Sequence, residues 1–193
     1  MLLNSNFWNS LYLNNDFKWD AGKITTPLKE YFDQLTNKEL KILIPGAGNS
    51  HEAEYLFGNG FKNIFVLDYA PEPLKNIKKR CSNFPNENLI QIDFFEHTGQ
   101  YDLIIEQTFF CAIDIKLRPS YAKHMHTLLK PDGKLVGLLF TKVPEIDAPP
   151  FGGTKEEFLS YFNPYFTIKT FELCYNSIKP RENRELFINL VKR

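Results

Sequence analysis

Short apolar runs of strand length alternate along this chain with stretches of helical spacing, and turn residues separate them. Lys41–Ile44 is such a run, closed by Pro45-Gly46-Ala47-Gly48, which predicts a strand followed by a tight turn. Asn63–Leu67 ending at Asp68, Leu89–Ile92 ending at Asp93, Tyr101–Ile105 and Lys134–Phe140 predict further strands. Between them, Glu52–Gly58 is stopped by a glycine and Glu72–Arg80 follows a proline-rich entry. Ser120–Leu129 ends at the turn signal Lys130-Pro131-Asp132-Gly133; all three predict helices. Pro27 opens a predicted helix to about Leu35, with Thr25 or Thr26 as its cap. Thr154–Tyr161 predicts another, with Glu157 at the capping-box position. Phe166–Cys174 and Glu185–Val191 alternate like strands and have no helical pattern between them, so they predict an antiparallel pair at one edge. Residues 1–23, carrying Trp8, Tyr12, Phe17 and Trp19, are too apolar for a disposable tail. Strands alternating with helices predict an α/β fold in three layers, α/β/α, around a mostly parallel sheet.

Composition narrows the function classes. A length of 193 residues without an internal composition shift predicts a single domain over 1–193. Lys plus Arg and Asp plus Glu both number 23, so the formal charge is zero, which argues against a dedicated nucleic-acid or membrane-surface binder. The basic cluster Lys75–Arg80 reads as a solvated helix face. The first residues show no basic stretch followed by an apolar run, and the longest clean apolar runs, such as Leu135–Phe140, are strand-length. The 3 cysteines, Cys81, Cys111 and Cys174, are far apart and form no CxxC, so neither a disulfide framework nor a zinc site is expected. A cytoplasmic monomer without a metal is the expectation. His124 and His126 lie two apart on a helix and cannot share one face, and His51 and His97 stand alone in the sequence. The 18 Phe and 9 Tyr imply a heavily aromatic core, a ring-lined pocket, or both.

Chemistry concentrates at strand ends. Gly46 and Gly48 suit a tight turn where the backbone approaches a ligand without side chains in the way. Asp68, 20 residues after Gly48, stands where an acid takes hydrogen bonds from a ribose hydroxyl pair in nucleotide-binding α/β sheets. The third glycine of a dinucleotide fingerprint is replaced by His51, which fits a nucleoside ligand without a pyrophosphate better than NAD. Asp93, followed by Phe94 and Phe95, suits an adenine amino group with a ring packed on its face, or equally a helix cap. Glu106-Gln107-Thr108 ends the fourth strand at the switch point, where polar groups face a reacting centre.

Together these residues resemble class I S-adenosylmethionine-dependent methyltransferases, and more closely the thiopurine S-methyltransferase family with its plant thiol and halide methyltransferase branch. The stretches that carry the resemblance are Phe7-Trp8 through Trp19-Asp20-Ala21-Gly22, Leu43 to Gly48, Tyr101-Asp102-Leu103-Ile104 with Thr108-Phe109-Phe110-Cys111-Ala112-Ile113, Leu128 to Gly133, and Pro149-Pro150-Phe151. The resemblance implies a Rossmann-like class I fold with a seven-stranded sheet, S-adenosylmethionine as cofactor and S-adenosylhomocysteine as product. It implies that residues 1–23 close over the cofactor, matching Trp8, Tyr12 and Trp19. Gly46 and Gly48 would pass its methionine part, Asp68 would hold its ribose, and Asp93 and Phe94 would flank its adenine, with Ala47 and Tyr69 also counted as cofactor-binding. Glu106, Gln107 and Thr108 would face the acceptor, with Glu106 also counted on the cofactor side, and Pro150 and Phe151 would wall the acceptor pocket. Gln107 stands where the thiopurine branch has an arginine, a departure that leans toward the thiol or halide branch. Ser50 stands where many class I enzymes have a glycine, and Pro45 replaces the acid common there in the wider class.

A thiol has a thiolate fraction at neutral pH and a halide needs no base, so the absence of an obvious base dyad fits soft acceptors: a thiol, a thiopurine or a halide. The Asp/Asn-Pro-Pro-aromatic run that nitrogen methyltransferases resemble is missing after the fourth strand; Pro149-Pro150-Phe151 follows the fifth instead. Trp8 and Trp19 are candidates to face a sulfonium through cation–π attraction. Arg118 and Arg181 are candidate anchors for an acceptor carboxylate, and Cys111 reads as a small buried hydrophobe. Two other readings stay open: a cofactor-binding regulator of the same fold, and an NAD-linked oxidoreductase.

Overall fold

The computed structural model describes residues 3–143 and 148–193. The chain divides into two compact units, one running to His97 and the other beginning at Thr98.

The first unit opens with a helix that the strand-and-turn pattern does not announce, α1 (Ser5–Leu13). Asn4 caps it by accepting the N–H of Phe7, and Phe7, Trp8, Leu11 and Tyr12 repeat at helical spacing. Then come α2 (Thr26–Asp33), β1 (Ile42–Pro45), α3 (His51–Gly58), β2 (Ile64–Asp68), α4 (Pro71–Arg80) and β3 (Leu89–Gln91). Thr25 stands at the cap position of α2, with Pro27 in its first turn. β2 lies between β1 and β3, parallel to both. Ile42, Leu43, Ile44, Val66 and Leu67 are all buried, as expected of parallel strands covered on both faces. On α4, Lys75 and Arg80 pair with Glu72 and Glu54, and Lys78 donates to the Phe84 carbonyl, so the basic cluster is a paired helix face.

The second unit contains β4 (Tyr101–Gln107), α5 (Arg118–Leu128), β5 (Leu129–Phe140), α6 (Lys155–Phe162), β6 (Phe166–Leu173) and β7 (Glu185–Lys192). β4 and β5 are parallel; β7 lies between β5 and β6 and runs antiparallel to both. The expected antiparallel pair is therefore present, with the last strand doubling back inside the pair. The expected turn at Lys130–Gly133 is absorbed into β5 as an irregularity. The ladder to β4 jumps from Tyr101↔Leu129 to Leu103↔Lys134, and Asp132 takes a left-handed φ of 60°. Thr154 caps α6 as predicted, accepting the N–H of Glu157. Phe110, Tyr121, Phe158, Phe162 and Phe166 build an aromatic core, with Phe110–Phe158 and Phe110–Tyr121 centroids 5.2 and 5.1 Å apart. Among the described residues no helix is long and apolar enough to cross a membrane.

Candidate active site

In the first unit the glycine turn forms as the sequence predicts. Gly46 and Gly48 both take left-handed φ values, 54° and 53°, which glycine adopts without a Cβ penalty. Ser50 follows at φ 49°, so the turn coils tightly into the start of α3. A side chain at residue 48 would also press on Tyr12, because a Cβ there would lie 2.7 Å from its hydroxyl, which would have to shift.

Asp68 ends β2 directly against this turn. Its Oδ2 accepts the N–H of Gly48 at 3.0 Å and its Oδ1 accepts that of Ala70 at 2.9 Å. A carboxylate offers about four lone-pair sites, so acceptor capacity remains for a ligand hydroxyl. Burial raises the Asp68 carboxyl to about pKa 6, against the pull of the Ala70, Gly48 and Tyr69 N–H groups. A buried acid that keeps acceptor capacity beside a glycine cradle fits the ribose and amino-acid parts of an S-adenosyl group.

The aromatic N-terminal residues are ordered around this turn. The Trp19 ring meets Trp8 and Tyr12 edge-on, with centroids 5.6 and 5.8 Å apart, and Tyr12 stacks on Phe17 at 5.4 Å. The Trp19 and Trp8 indoles act on the Tyr12 and Tyr69 hydroxyls, partly offsetting the burial that pushes both phenols up. The Ser5 hydroxyl donates to the Tyr69 carbonyl, Tyr69 donates to the Leu3 carbonyl, and Asn9 accepts the N–H of Glu72. Trp8, Tyr12, Trp19, Gly48, Asp68 and Tyr69 are thus gathered in one connected group, and α1 is fastened over the β2–α4 junction.

Asp93 takes the cap position of a short 3-10 turn, accepting the N–H of Phe95 at 2.8 Å, and Phe94 is buried edge-on against Phe95. Two further residues join the site without any signal in the apolar pattern. Asp20 accepts from His51 Nε2 at 2.8 Å, from the Asn49 side chain and from the Gly22 N–H. Burial opposes the Asp20 charge, but these bonds outweigh it and hold the carboxyl at about pKa 2. The same contact raises the His51 pKa against its own burial. His51, isolated in the sequence, opens α3 and clasps the aromatic segment. An acid beside Trp19 and a histidine at the third-glycine position are the signal that could have suggested this pair.

In the second unit, β4 delivers Glu106, Gln107 and Thr108 in succession. Glu106 is 0% exposed. One oxygen accepts the N–H groups of Phe109 and Phe110 at 2.7 and 3.0 Å, and the other accepts the Tyr121 hydroxyl. Burial raises its carboxyl to about pKa 7, which Tyr121 and the two N–H groups hold down in part. Both Glu106 oxygens are thus engaged within the protein, by the turn that follows β4 and by Tyr121 of α5. Thr108 takes φ 63°, a left-handed conformation that β-branched residues adopt only under constraint.

The Pro149-Pro150-Phe151 segment, with a cis Pro149–Pro150 bond, is pinned to the same region by the Phe151 N–H donating to the Cys111 carbonyl at 2.7 Å. Arg118 corrects an expectation. It is 0% exposed, donates to the Phe151 and Gly152 carbonyls and pairs with Glu157, so it holds protein backbone and not an acceptor carboxylate. Arg181 is buried over the Phe140 ring at 5.4 Å, with Glu185 3.9 Å away, and cannot reach out as an anchor either. Cys111 is buried, and burial pushes its thiol up to about pKa 12, which leaves it unreactive. Among the described residues no group of three or more His, Cys, Asp or Glu side chains is placed to hold a metal.

The chain is similar to several known proteins. The chain is 28% identical over 149 residues to thiocyanate methyltransferase 1 of Arabidopsis thaliana, a match covering 75% of this chain and 65% of that protein, just under two thirds of its length. It is 28% identical over 156 residues to the probable thiol methyltransferase 2 of the same plant, covering 78% of this chain and 69% of the relative. It is 21% identical over 187 residues to a thiopurine S-methyltransferase of Pseudomonas fluorescens, covering 86% and 85%. Among solved structures, the 1,6-didemethyltoxoflavin-N1-methyltransferase of Burkholderia thailandensis superposes with TM-score 0.75 at 16% identity, covering 98% of this chain and 87% of that one. The magnesium protoporphyrin IX methyltransferase of Synechocystis PCC 6803 gives TM-score 0.74 at 12% identity, over 98% and 95%. These likenesses show the class I methyltransferase fold that the resemblance implied. The family model of thiopurine S-methyltransferase matches residues 3–191, and the chain belongs to that family.

Proposed function

We propose that the protein transfers a methyl group from S-adenosylmethionine to a small soft nucleophile, a thiol in the first place, releasing S-adenosylhomocysteine. The observation that carries this reading is the Asp68–Gly48 contact: a buried carboxylate, fixed by the N–H of a glycine turn, with acceptor capacity left for a ligand hydroxyl. Family membership and the names of the plant relatives, thiocyanate and thiol methyltransferases, support the acceptor class.

Asp68 and Tyr69 hold the ribose, Gly46, Ala47 and Gly48 pass the amino-acid part, and Asp93 with Phe94 flanks the adenine. Trp8, Tyr12 and Trp19 shield the site from water and present ring faces to a positive centre, an attraction of about 0.5–2 kcal/mol. Gln107 and Thr108 orient the acceptor, and Pro150 and Phe151 form its apolar wall. The cofactor supplies a methyl already activated on a sulfonium. The chain's task is placement, which needs no strong base when the acceptor is a thiolate. The two acidic or thiol groups nearest Gln107 and Thr108, Glu106 and Cys111, are buried and occupied, which favours an acceptor that arrives as an anion. Gln107 in place of an arginine favours the thiol or halide branch over thiopurines.

Calorimetric titration with S-adenosylmethionine and S-adenosylhomocysteine, with NAD as control, tests the cofactor half. Binding of both sulfur compounds in the micromolar range without NAD binding is expected. NAD binding alone would support the oxidoreductase reading instead.

A further inference from the structure

One helix face holds both acceptor-side segments from behind. Arg118 and Tyr121 lie three residues apart in the first turn of α5 and so share a face, and both are 0% exposed. The Tyr121 hydroxyl donates to Glu106, whose other oxygen takes the Phe109 and Phe110 N–H groups. These bonds fold the chain back immediately after Thr108 and keep that residue left-handed at φ 63°. The Cys111 thiol donates to the Thr108 carbonyl at 3.3 Å, and the Thr108 hydroxyl to the Gln107 carbonyl at 2.6 Å. On the same face, Arg118 donates to the carbonyls of Phe151 at 2.8 Å and Gly152 at 3.0 Å, pairs with Glu157 at 3.2 Å, and lies 4.7 Å over the Phe110 ring. The Phe151 N–H reaches the Cys111 carbonyl, so the two segments are also joined to each other. From β5, Gly137 lies opposite Glu106, and a Cβ there would sit 2.1 Å from the Glu106 carbonyl oxygen. Glu106 is therefore hemmed in on both sides.

We propose that Tyr121 and Arg118 are positioning residues for the methyl acceptor. Through Glu106 and through the Phe151–Gly152 carbonyls, they fix Gln107, Thr108 and Phe151 in one arrangement. Neither side chain touches the acceptor. Tyr121 acts by holding the Glu106 carboxylate ionised and aimed at the turn; Arg118 acts by setting the distance of the apolar wall. The proposal rests on the methyl-transfer reading above for what the arrangement is used for, but not for the arrangement itself. The ionisable groups facing Glu106 are Tyr121 from α5 and Cys111 from the turn, and Arg118 and Arg181 act on Cys111 in turn. Protonation of Glu106 removes acceptor capacity from the Phe109 and Phe110 N–H groups and loosens the turn.

The test compares Tyr121→Phe, Glu106→Gln and Arg118→Lys with the wild type in the full chain, using a small thiol as acceptor. Tyr121→Phe keeps the ring against Phe110 and removes one hydroxyl. It should raise the acceptor KM about tenfold while the dissociation constant for S-adenosylhomocysteine stays within about twofold. It should also move the acid limb of kcat/KM to higher pH, because the Tyr121 hydrogen bond holds Glu106 down; Glu106→Gln should abolish the shift of that limb. Arg118→Lys should raise the KM for a bulky apolar thiol more than for a small one. A lower Tm in Tyr121→Phe with unchanged KM and an unmoved limb would overturn the proposal in favour of simple core packing. Amide hydrogen exchange gives an answer independent of turnover. Protection at Phe109, Phe110 and Phe151 should fall in Tyr121→Phe, and unchanged protection there would overturn the arrangement even if the wild type proves inactive on every thiol.

Discussion

His51 Nε2 lies 2.8 Å from Asp20 Oδ1, and through this contact the first helix after the glycine turn grips the aromatic segment that carries Trp19. Both side chains are mostly buried, at 18% and 12% exposure, so solvent screens the pair far less than a surface ion pair. The Asn49 side chain braces the other Asp20 oxygen, and Glu54 stands 4.0 Å from His51 Nδ1.

The pair should leave a pH signature. The His51 pKa is raised in the folded protein, so its contribution is complete below the free imidazole value near 6.5 and is lost as pH rises through the folded value. Asp20 is lowered to about 2, so its contribution is complete above the free value near 4 and is lost as pH falls toward 2. The stabilisation is therefore greatest between about pH 4 and 6.5. Thermal melts should show a larger gap between wild type and His51→Gln at pH 5.5 than at pH 8.5. A gap independent of pH would mean that the contact is not ionic.

Asp68 predicts two opposite pH dependences. Burial raises its folded pKa to about 6, so the charged form costs stability, and that cost appears as pH rises from about 4 to 6. Hydroxyl binding needs the ionised carboxylate, so affinity for S-adenosylhomocysteine should fall as pH drops below about 6. Asp68→Ala should lower that affinity at least about tenfold at pH 7.5, the scale of losing hydrogen bonds to a charged group. Titration calorimetry across pH checks both claims. Unchanged affinity in a folded variant would place the ribose elsewhere.

Gly48→Ala combines two penalties, a left-handed φ of 53° and a Cβ 2.7 Å from the Tyr12 hydroxyl. The first costs about 1–2 kcal/mol. The second is relieved if the hydroxyl is removed, so Tyr12→Phe should destabilise the Gly48→Ala background less than it destabilises the wild type. A urea-denaturation double-mutant cycle measures the difference. Strict additivity would show that Tyr12 does not press on the turn.

Most elements were legible because their signals are local. The Pro45–Gly48 turn, the Thr154 cap and the apolar runs of β1, β2 and β4 each depend on residues adjacent in sequence. Helix α1 lacked proline or glycine punctuation and is rich in Asn and Ser, which favour caps and turns, so its Phe7–Tyr12 stripe was read only as aromatic content. The order β5–β7–β6 could not be read locally, since alternation gives strand identity but not which neighbour a strand chooses. At the site, Asp68 and the glycines stood out because backbone geometry requires them. The roles of Asp20, His51, Arg118 and Tyr121 did not, because their partners lie 15 to 39 residues away and nothing in the sequence marks those distances. Arg118 shows the cost: a charged residue near a site reads as a ligand anchor, whereas here its donors go to the Phe151 and Gly152 carbonyls and to Glu157.

The most direct test of the central claim is methyl transfer itself. The purified protein would be incubated with S-adenosylmethionine carrying a labelled methyl group and with separate acceptors: a small thiol, thiocyanate, a halide, a thiopurine and a primary amine. The account predicts a labelled methyl thioether from the thiol, with S-adenosylhomocysteine formed in equal amount, and none from the amine. Labelled amine without labelled thiol, or S-adenosylhomocysteine bound but never produced with any acceptor, would contradict it.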